Sequence, residues 1–280
     1  MKFVSVTKPG IIFGNIVTVS GGFFLGTQSH FDLWLFLCTL VGMGLVVACG
    51  CVFNNMIDCD IDALMERTRK RPMVQGIISR PIAFIYGACL GIAGFLVFYF
   101  WVNSLTVVIA AVGLFFYVLI YSLWLKRQSS LGTMVGGIAG AVPPVVGYCA
   151  VTNQFNTAAI LLFLILFFWQ MPHFYAISIY RLQDFKAAAI PILPVKKSVR
   201  YTKISILCYI VAFTIAAVLP TLFGYAGWVY FGGALLLGLI WLVIGLKGFA
   251  HLEDRVWARK MFLFSILNIM LLSLLMIIKY

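Results

Sequence analysis

Six stretches of the chain contain no Asp, Glu, Lys or Arg: Pro9 to Phe31, Leu33 to Ile57, Pro81 to Leu125, Gln128 to Tyr180, Ile204 to Leu246 and Met261 to Ile278. A helix crosses the hydrocarbon core of a bilayer with about 20 apolar residues. Three of the stretches are long enough for two crossings each. Each of those carries polar or helix-breaking residues near its middle, at Asn103-Ser104, at Thr152 to Thr157, and at Pro220 with Gly224. The pattern predicts nine transmembrane helices, near 10–29, 33–53, 82–101, 105–125, 131–151, 158–180, 204–222, 227–247 and 261–278. Strands of a membrane barrel would alternate apolar and polar residues with period two. These runs are continuous, so the expected fold class is all-α, a polytopic membrane protein with one transmembrane domain over 1–280 and no appended soluble domain.

Composition agrees with the pattern. The chain is 63% hydrophobic and 10% charged, against roughly 25% charged residues in soluble domains. No signal-peptide cleavage site follows a short apolar core, and no Arg- and Ser-rich transit segment opens the chain. The seven Cys residues lie mostly inside apolar runs without metal-ligand spacing, and read as packing residues.

Charge sets the orientation. With nine helices, one side receives the N-terminus and the segments 54–81, 126–130, 181–203 and 248–260; of the 20 Lys and Arg residues only Lys279 falls on the other side. The positive-inside rule puts the basic side, N-terminus included, in the cytoplasm. The formal charge of +12 is therefore one-sided. It fits orientation and attraction to anionic membrane lipid, and no nucleic-acid partner is expected.

Seven of the eight carboxylates are on the same side, and four crowd into Asp58, Asp60, Asp62 and Glu66. If the second helix continues past the membrane, Asn54, Asp58 and Asp62 share one face and Asp60 points elsewhere. Three oxygen-bearing side chains on one stripe suit Mg²⁺, which takes one or two protein carboxylates and completes its shell with water and substrate phosphate. Arg67, Arg69, Lys70 and Arg71 follow directly. Carboxylates alone would repel a diphosphate; with a metal and guanidiniums beside them they would hold one. The structural alternative is a solvated helix end in which Glu66 pairs with Arg69 or Lys70.

A second polar segment follows the sixth helix: Trp169-Gln170-Met171-Pro172-His173-Phe174-Tyr175, then Arg181 to Phe185. Polar segments at matching positions in two halves point to a binding site between them. His173 is an intramembrane histidine, either a hydrogen-bonded packing residue or a substrate or proton-transfer contact. The fifth helix carries Gly136 to Tyr148 with Pro143-Pro144, which reads as a packing kink or as a widened cavity.

The acidic pattern resembles the first motif of the UbiA-type intramembrane prenyltransferases, Asn-x-x-x-Asp-x-x-x-Asp, carried by Asn54, Asp58 and Asp62. Thr7-Lys8-Pro9-Gly10, Asn54 to Asp62, Arg71-Pro72, Gly136 to Tyr148, Trp169 to Phe174, and Asp184-Phe185 with Ile190-Pro191 together resemble the haem O synthase branch of that family, over about residues 5 to 265. The resemblance implies a nine-helix bundle around a central cavity in a bacterial inner (plasma) membrane. It also implies transfer of a farnesyl group from farnesyl diphosphate to a vinyl group of haem b with addition of water. Asn54, Asp58, Asp62 and Asp184 would then hold Mg²⁺, Arg67, Arg71, Lys126 and Arg181 would neutralise the diphosphate, and His173 would contact haem. Lys196-Lys197 would meet haem propionates or diphosphate, or anchor the surface. Haem A synthase or a terminal oxidase would receive the product. One departure is Tyr180, where many relatives outside this branch have the first Asp of a second Asp-x-x-x-Asp motif. Rival readings are a prenyltransferase acting on a quinone precursor or chlorophyllide, and a transporter. No carboxylate lies mid-membrane to couple an ion.

Overall fold

The computed structural model describes residues 2–27, 30–250 and 253–278. The predicted end of the first helix at 28–29 and Lys279 lie outside the described residues. Among those described, nine helices are long and apolar enough to cross a membrane, and no strand occurs. They are α1 (Pro9–Gly26), α2 (Leu33–Ile57), α3 (Arg80–Trp101), α4 (Ser104–Gln128), α5 (Gly132–Thr152), α6 (Thr157–Tyr180), α7 (Val199–Leu222), α8 (Trp228–Phe249) and α9 (Asp254–Leu275).

The polar residues between apolar runs act as helix starts. The side chains of Asp32, Asn103 and Asn156 accept from the backbone N–H groups of Leu35, Thr106 and Ala158, capping α2, α4 and α6 at the far end of the bundle. Ser198 does the same for α7 at the basic end. Two helices begin earlier than hydropathy predicts, α7 at Val199 and α9 at Asp254. Their first turns carry charge, and one pair joins the two helices: Lys203 binds Asp254 and donates to the Gly248 carbonyl at 2.6 Å. Charge ends the apolar run without ending the helix. Pro220 likewise stays inside α7 instead of breaking it.

The helices form two groups meeting along α1 and α5. One apolar cluster joins Val19, Met43, Phe98, Ala110 and Val146; a larger one joins α5 to α6, α7, α8 and α9 around Phe213, Trp241 and Met261. At the seam α5 is broken into Gly132–Gly140 and Val142–Thr152, and Val142 to Ala150 are all buried. The Pro pair opens the second segment. A Cβ at Gly22 of α1 would overlap the Pro144 carbonyl oxygen, and one at Gly147 would overlap that of Val19. The glycine-rich stretch is therefore a close-packed kink at the seam. A cavity of about 660 Å³ lies at the far end, where Tyr148 at the end of the stretch lines it with Thr27, Asn156 and Tyr225 among others.

Candidate active site

At the basic end α2 stops at Ile57. Asp58 has φ −86° and ψ 2°, and a short helix, Cys59–Leu64, follows. The helix is not continuous as the stripe argument assumed, yet the i to i+4 step survives the break. Asp58 N–H donates to Asn54 O at 2.9 Å and Asp62 N–H to Asp58 O at 2.8 Å. Asn54, Asp58 and Asp62 consequently stay together, 4%, 1% and 2% exposed. Asp60 is turned outward into a bidentate pair with Arg127, both contacts 2.6 Å. The Arg127 hydrogen bond holds the Asp60 carboxyl down at about 2.

Each buried acid meets a cation from a different part of the chain. Lys126, near the end of α4, pairs with Asp58, and Arg71, in the loop beyond the short helix, pairs with Asp62. The turn that delivers Arg71 is tied down where Thr68 donates to the Asp62 carbonyl at 2.8 Å. Asn54 accepts from Lys8 Nζ and donates to Ser122 Oγ at 3.0 Å. Lys8 has φ +53° immediately before Pro9. That left-handed backbone is strained for a residue with a Cβ, and such strain collects at functional sites. Burial pushes the Lys8 ammonium down to about 8. Ser122 reaches the cluster from a π-helical stretch of α4, Phe116–Leu125, where its Oγ donates to the Tyr117 carbonyl at 2.8 Å, and Lys126 follows directly on that stretch.

The second polar segment forms the adjoining wall. Ala188, Ile190 and Ile192 pack on Ile61 and Met65. Asp184 Oδ1, on the short helix Leu182–Ala187, accepts from the Glu66 N–H at 3.2 Å. Partial burial, then the neighbouring Arg71 guanidinium, lowers Arg67 from the ordinary arginine value; Arg181 and Asp184 also act on it. Tyr180 is a stacking platform, with the Arg181 guanidinium 4.5 Å and that of Arg255 5.8 Å from its ring centre. Lys196 and Lys197 are exposed and outside every ion pair among the described residues. Glu66 pairs with neither Arg69 nor Lys70 there. His173 stands apart from the cluster, inside α6, with Nδ1 2.6 Å from Ser265 Oγ on α9.

Asn54, Asp58, Asp62, Arg71 and Lys126 are thus one cluster, with Arg67, Arg181 and Asp184 beside it. Sequence reading assigned no role to Lys8, Ser122, Arg127 or Arg255. Lys8 carried a signal, a basic residue fixed before a proline at the mouth of the first helix. Arg255 was hidden because α9 was expected to begin later.

The donor set fits a hard divalent cation. Asp58 Oδ1 is buried without a hydrogen-bond partner, and Asn54 and Asp62 add oxygen-bearing side chains one helical step to either side. Among the described residues no three His, Cys, Asp or Glu side chains gather closely enough to hold a metal by themselves. A cation here would take Asp58, Asp62 and Asn54, leaving the rest of its shell to water and phosphate.

The UbiA prenyltransferase family model matches residues 15–268. "Protoheme IX farnesyltransferase" of Chromohalobacter salexigens is 54% identical over 278 residues, covering 99% of this chain and 94% of that protein. "Protoheme IX farnesyltransferase 2" of Pseudomonas fluorescens is 50% identical over the same shares. The fold superposes on a digeranylgeranylglyceryl phosphate synthase with TM-score 0.78 at 20% identity, covering 99% of each chain. It also superposes on a UbiA homologue from Archaeoglobus fulgidus bound to DMAPP and Mg²⁺, with TM-score 0.75 at 15% identity and 99% of each chain. With the motif, the fold and the family match in agreement, this chain belongs to the UbiA prenyltransferase family.

Proposed function

We propose that the protein transfers the farnesyl group of farnesyl diphosphate to a vinyl group of haem b, with water, to give haem O and diphosphate. The observation that carries the acceptor is the 54% identity, along nearly the whole chain, to a protoheme IX farnesyltransferase. The buried oxygen cluster met by Lys8, Arg71 and Lys126 supports the diphosphate end of the reaction.

Asn54, Asp58 and Asp62 would hold Mg²⁺, with Asp184 contributing from the other half. When bound, Mg²⁺ supplies positive charge to the diphosphate as it becomes a leaving group. Arg67, Arg71, Lys126 and Arg181 add fixed positive charge where negative charge grows. The allylic C–O bond breaks with its electron pair going to diphosphate. The vinyl π pair then forms the new C–C bond to the allylic carbon. Water adds to the cation left on the haem side and gives up a proton. Apolar helices around the prenyl tail keep water from the allylic carbon until that bond is made.

The chain is a multi-pass membrane protein. We place the N-terminus and the acidic cluster on the cytoplasmic side of a bacterial inner membrane, on the strength of the one-sided Lys and Arg distribution. Haem O would pass from there to haem A synthase or a terminal oxidase. Pigment analysis by mass, on membranes with and without the protein, tests the assignment. Haem O should be present only with it, and haem b alone in both would refute the reading.

A further inference from the structure

His173 sits seven residues before the end of α6 at Tyr180, about 10 Å into the bundle at 1.5 Å per residue. Its ring is held by neighbours on two helices. It stacks on Trp169, with centroids 4.8 Å apart and planes 22° from parallel, and it meets Phe262 of α9 at 5.1 Å. Nδ1 is 2.6 Å from Oγ of Ser265, which is fully buried. A serine hydroxyl has a single proton, and that of Ser265 is donated to the Phe262 carbonyl at 2.6 Å. The hydroxyl therefore accepts from His173, which in the neutral imidazole puts the ring proton on Nδ1 and leaves the lone pair on Nε2. Among the described residues Nε2 bonds no protein group, the ring is only partly buried, and Nε2 is not among the sealed, unpartnered polar atoms. Trp169 Nε1 donates to the Ser265 carbonyl at 2.9 Å, so the stacking partner and the hydrogen-bond partner are anchored on one residue.

Metal-binding histidines share this arrangement. One ring N–H on an oxygen fixes the tautomer and the ring plane, and the other nitrogen faces the metal. A packing histidine needs only the first half of it. We propose that Ser265 is a positioning residue that holds His173 in its Nδ1–H tautomer and presents Nε2 as an axial ligand to the iron of the haem substrate. The inference rests on the haem reading above. It assigns iron recognition to the α6–α9 pair, apart from the diphosphate cluster.

The test uses the purified full chain as wild type, His173→Ala, Ser265→Ala and Ser265→Thr. Each is titrated with ferric haem b and, separately, with metal-free protoporphyrin IX, while the Soret band is followed. Ser265→Ala should weaken haem binding about 10- to 100-fold, the range for losing a partner of a metal-bound histidine. His173→Ala should abolish the imidazole-ligated spectrum that wild type shows, and Ser265→Thr should restore affinity. Metal-free porphyrin should bind all four alike, and farnesyl diphosphate binding retained by each variant shows that it is folded. Unchanged haem affinity and spectrum in Ser265→Ala would overturn the proposal. Equal loss of haem and metal-free porphyrin would also overturn it, since that marks a packing role. Should Ser265→Ala fail to fold, the spectra of wild type and His173→Ala decide, and identical spectra refute iron ligation. Wild type that binds no haem and forms no farnesylated haem would sink the haem reading itself, a result distinct from haem binding that ignores position 173.

Discussion

Lys126 donates to Oδ2 of Asp58 from 68 positions further along the chain, while Oδ1 of the same carboxylate is buried with no partner. One oxygen is neutralised by the protein and the other is left with an unmet electrostatic demand. A buried carboxylate oxygen in that position is costly unless something positive meets it.

Asp58→Ala and Asp62→Ala should each lower turnover by about 10³-fold or more, roughly 4 kcal/mol of transition-state stabilisation. Asp60→Ala should cost about 10-fold or less, because Asp60 faces solvent and Arg127. Steady-state rates on protein that still elutes as a single folded species measure this. A chelator in excess should stop turnover and added Mg²⁺ should restore it. Equal losses at positions 58 and 60 would refute the division of roles.

Lys126→Met should destabilise the folded protein by about 3 kcal/mol, since it strands the Asp58 charge in the interior. Adding Asp58→Asn should recover most of that stability and none of the activity. Thermal unfolding in detergent, read beside a turnover assay, separates the two effects. A double variant as unstable as the single one would mean that the pair is not coupled.

Gly22→Ala should cut the yield of folded protein sharply, at a cost of about 1–3 kcal/mol or more for overpacking, because its Cβ would meet the Pro144 backbone. Gly14→Ala, on the same helix with nothing within 4 Å of its Cβ, should be neutral. Comparison of detergent-extracted yields checks both.

Arg69 and Lys197 should be reached from the cytoplasm and Gln154 from the opposite side; all three are exposed. Single cysteines at these positions, in a chain lacking the exposed Cys89 and Cys208, can be labelled from outside intact cells. Labelling at 69 without labelling at 154 would reverse the orientation.

The nine crossings and the Asn54, Asp58, Asp62 stripe were legible in the sequence because each rests on one local rule, apolar length for the first and helical spacing for the second. The helix starts at Val199 and Asp254 were not legible. Lys203 and Asp254 are paired only after α7 and α9 have packed, so hydropathy reads them as loop. The π-helical stretch of α4 has no sequence signature here, and without it the approach of Ser122 to Asn54 is invisible. Lys8, Arg127 and Arg255 join the site through contacts over long sequence distances, which spacing within one segment cannot reveal. The glycines of α5 had two readings until Gly22 and Gly147 were seen against the facing backbones.

Prenyl transfer to haem is tested directly by one assay. Purified protein is given Mg²⁺ and farnesyl diphosphate, with haem b and an aromatic acid acceptor offered side by side, and the products are weighed. The expected product is a haem species heavier by one farnesyl group plus one water, with the aromatic acid untouched. Prenylated aromatic acid with haem b left unchanged would contradict it.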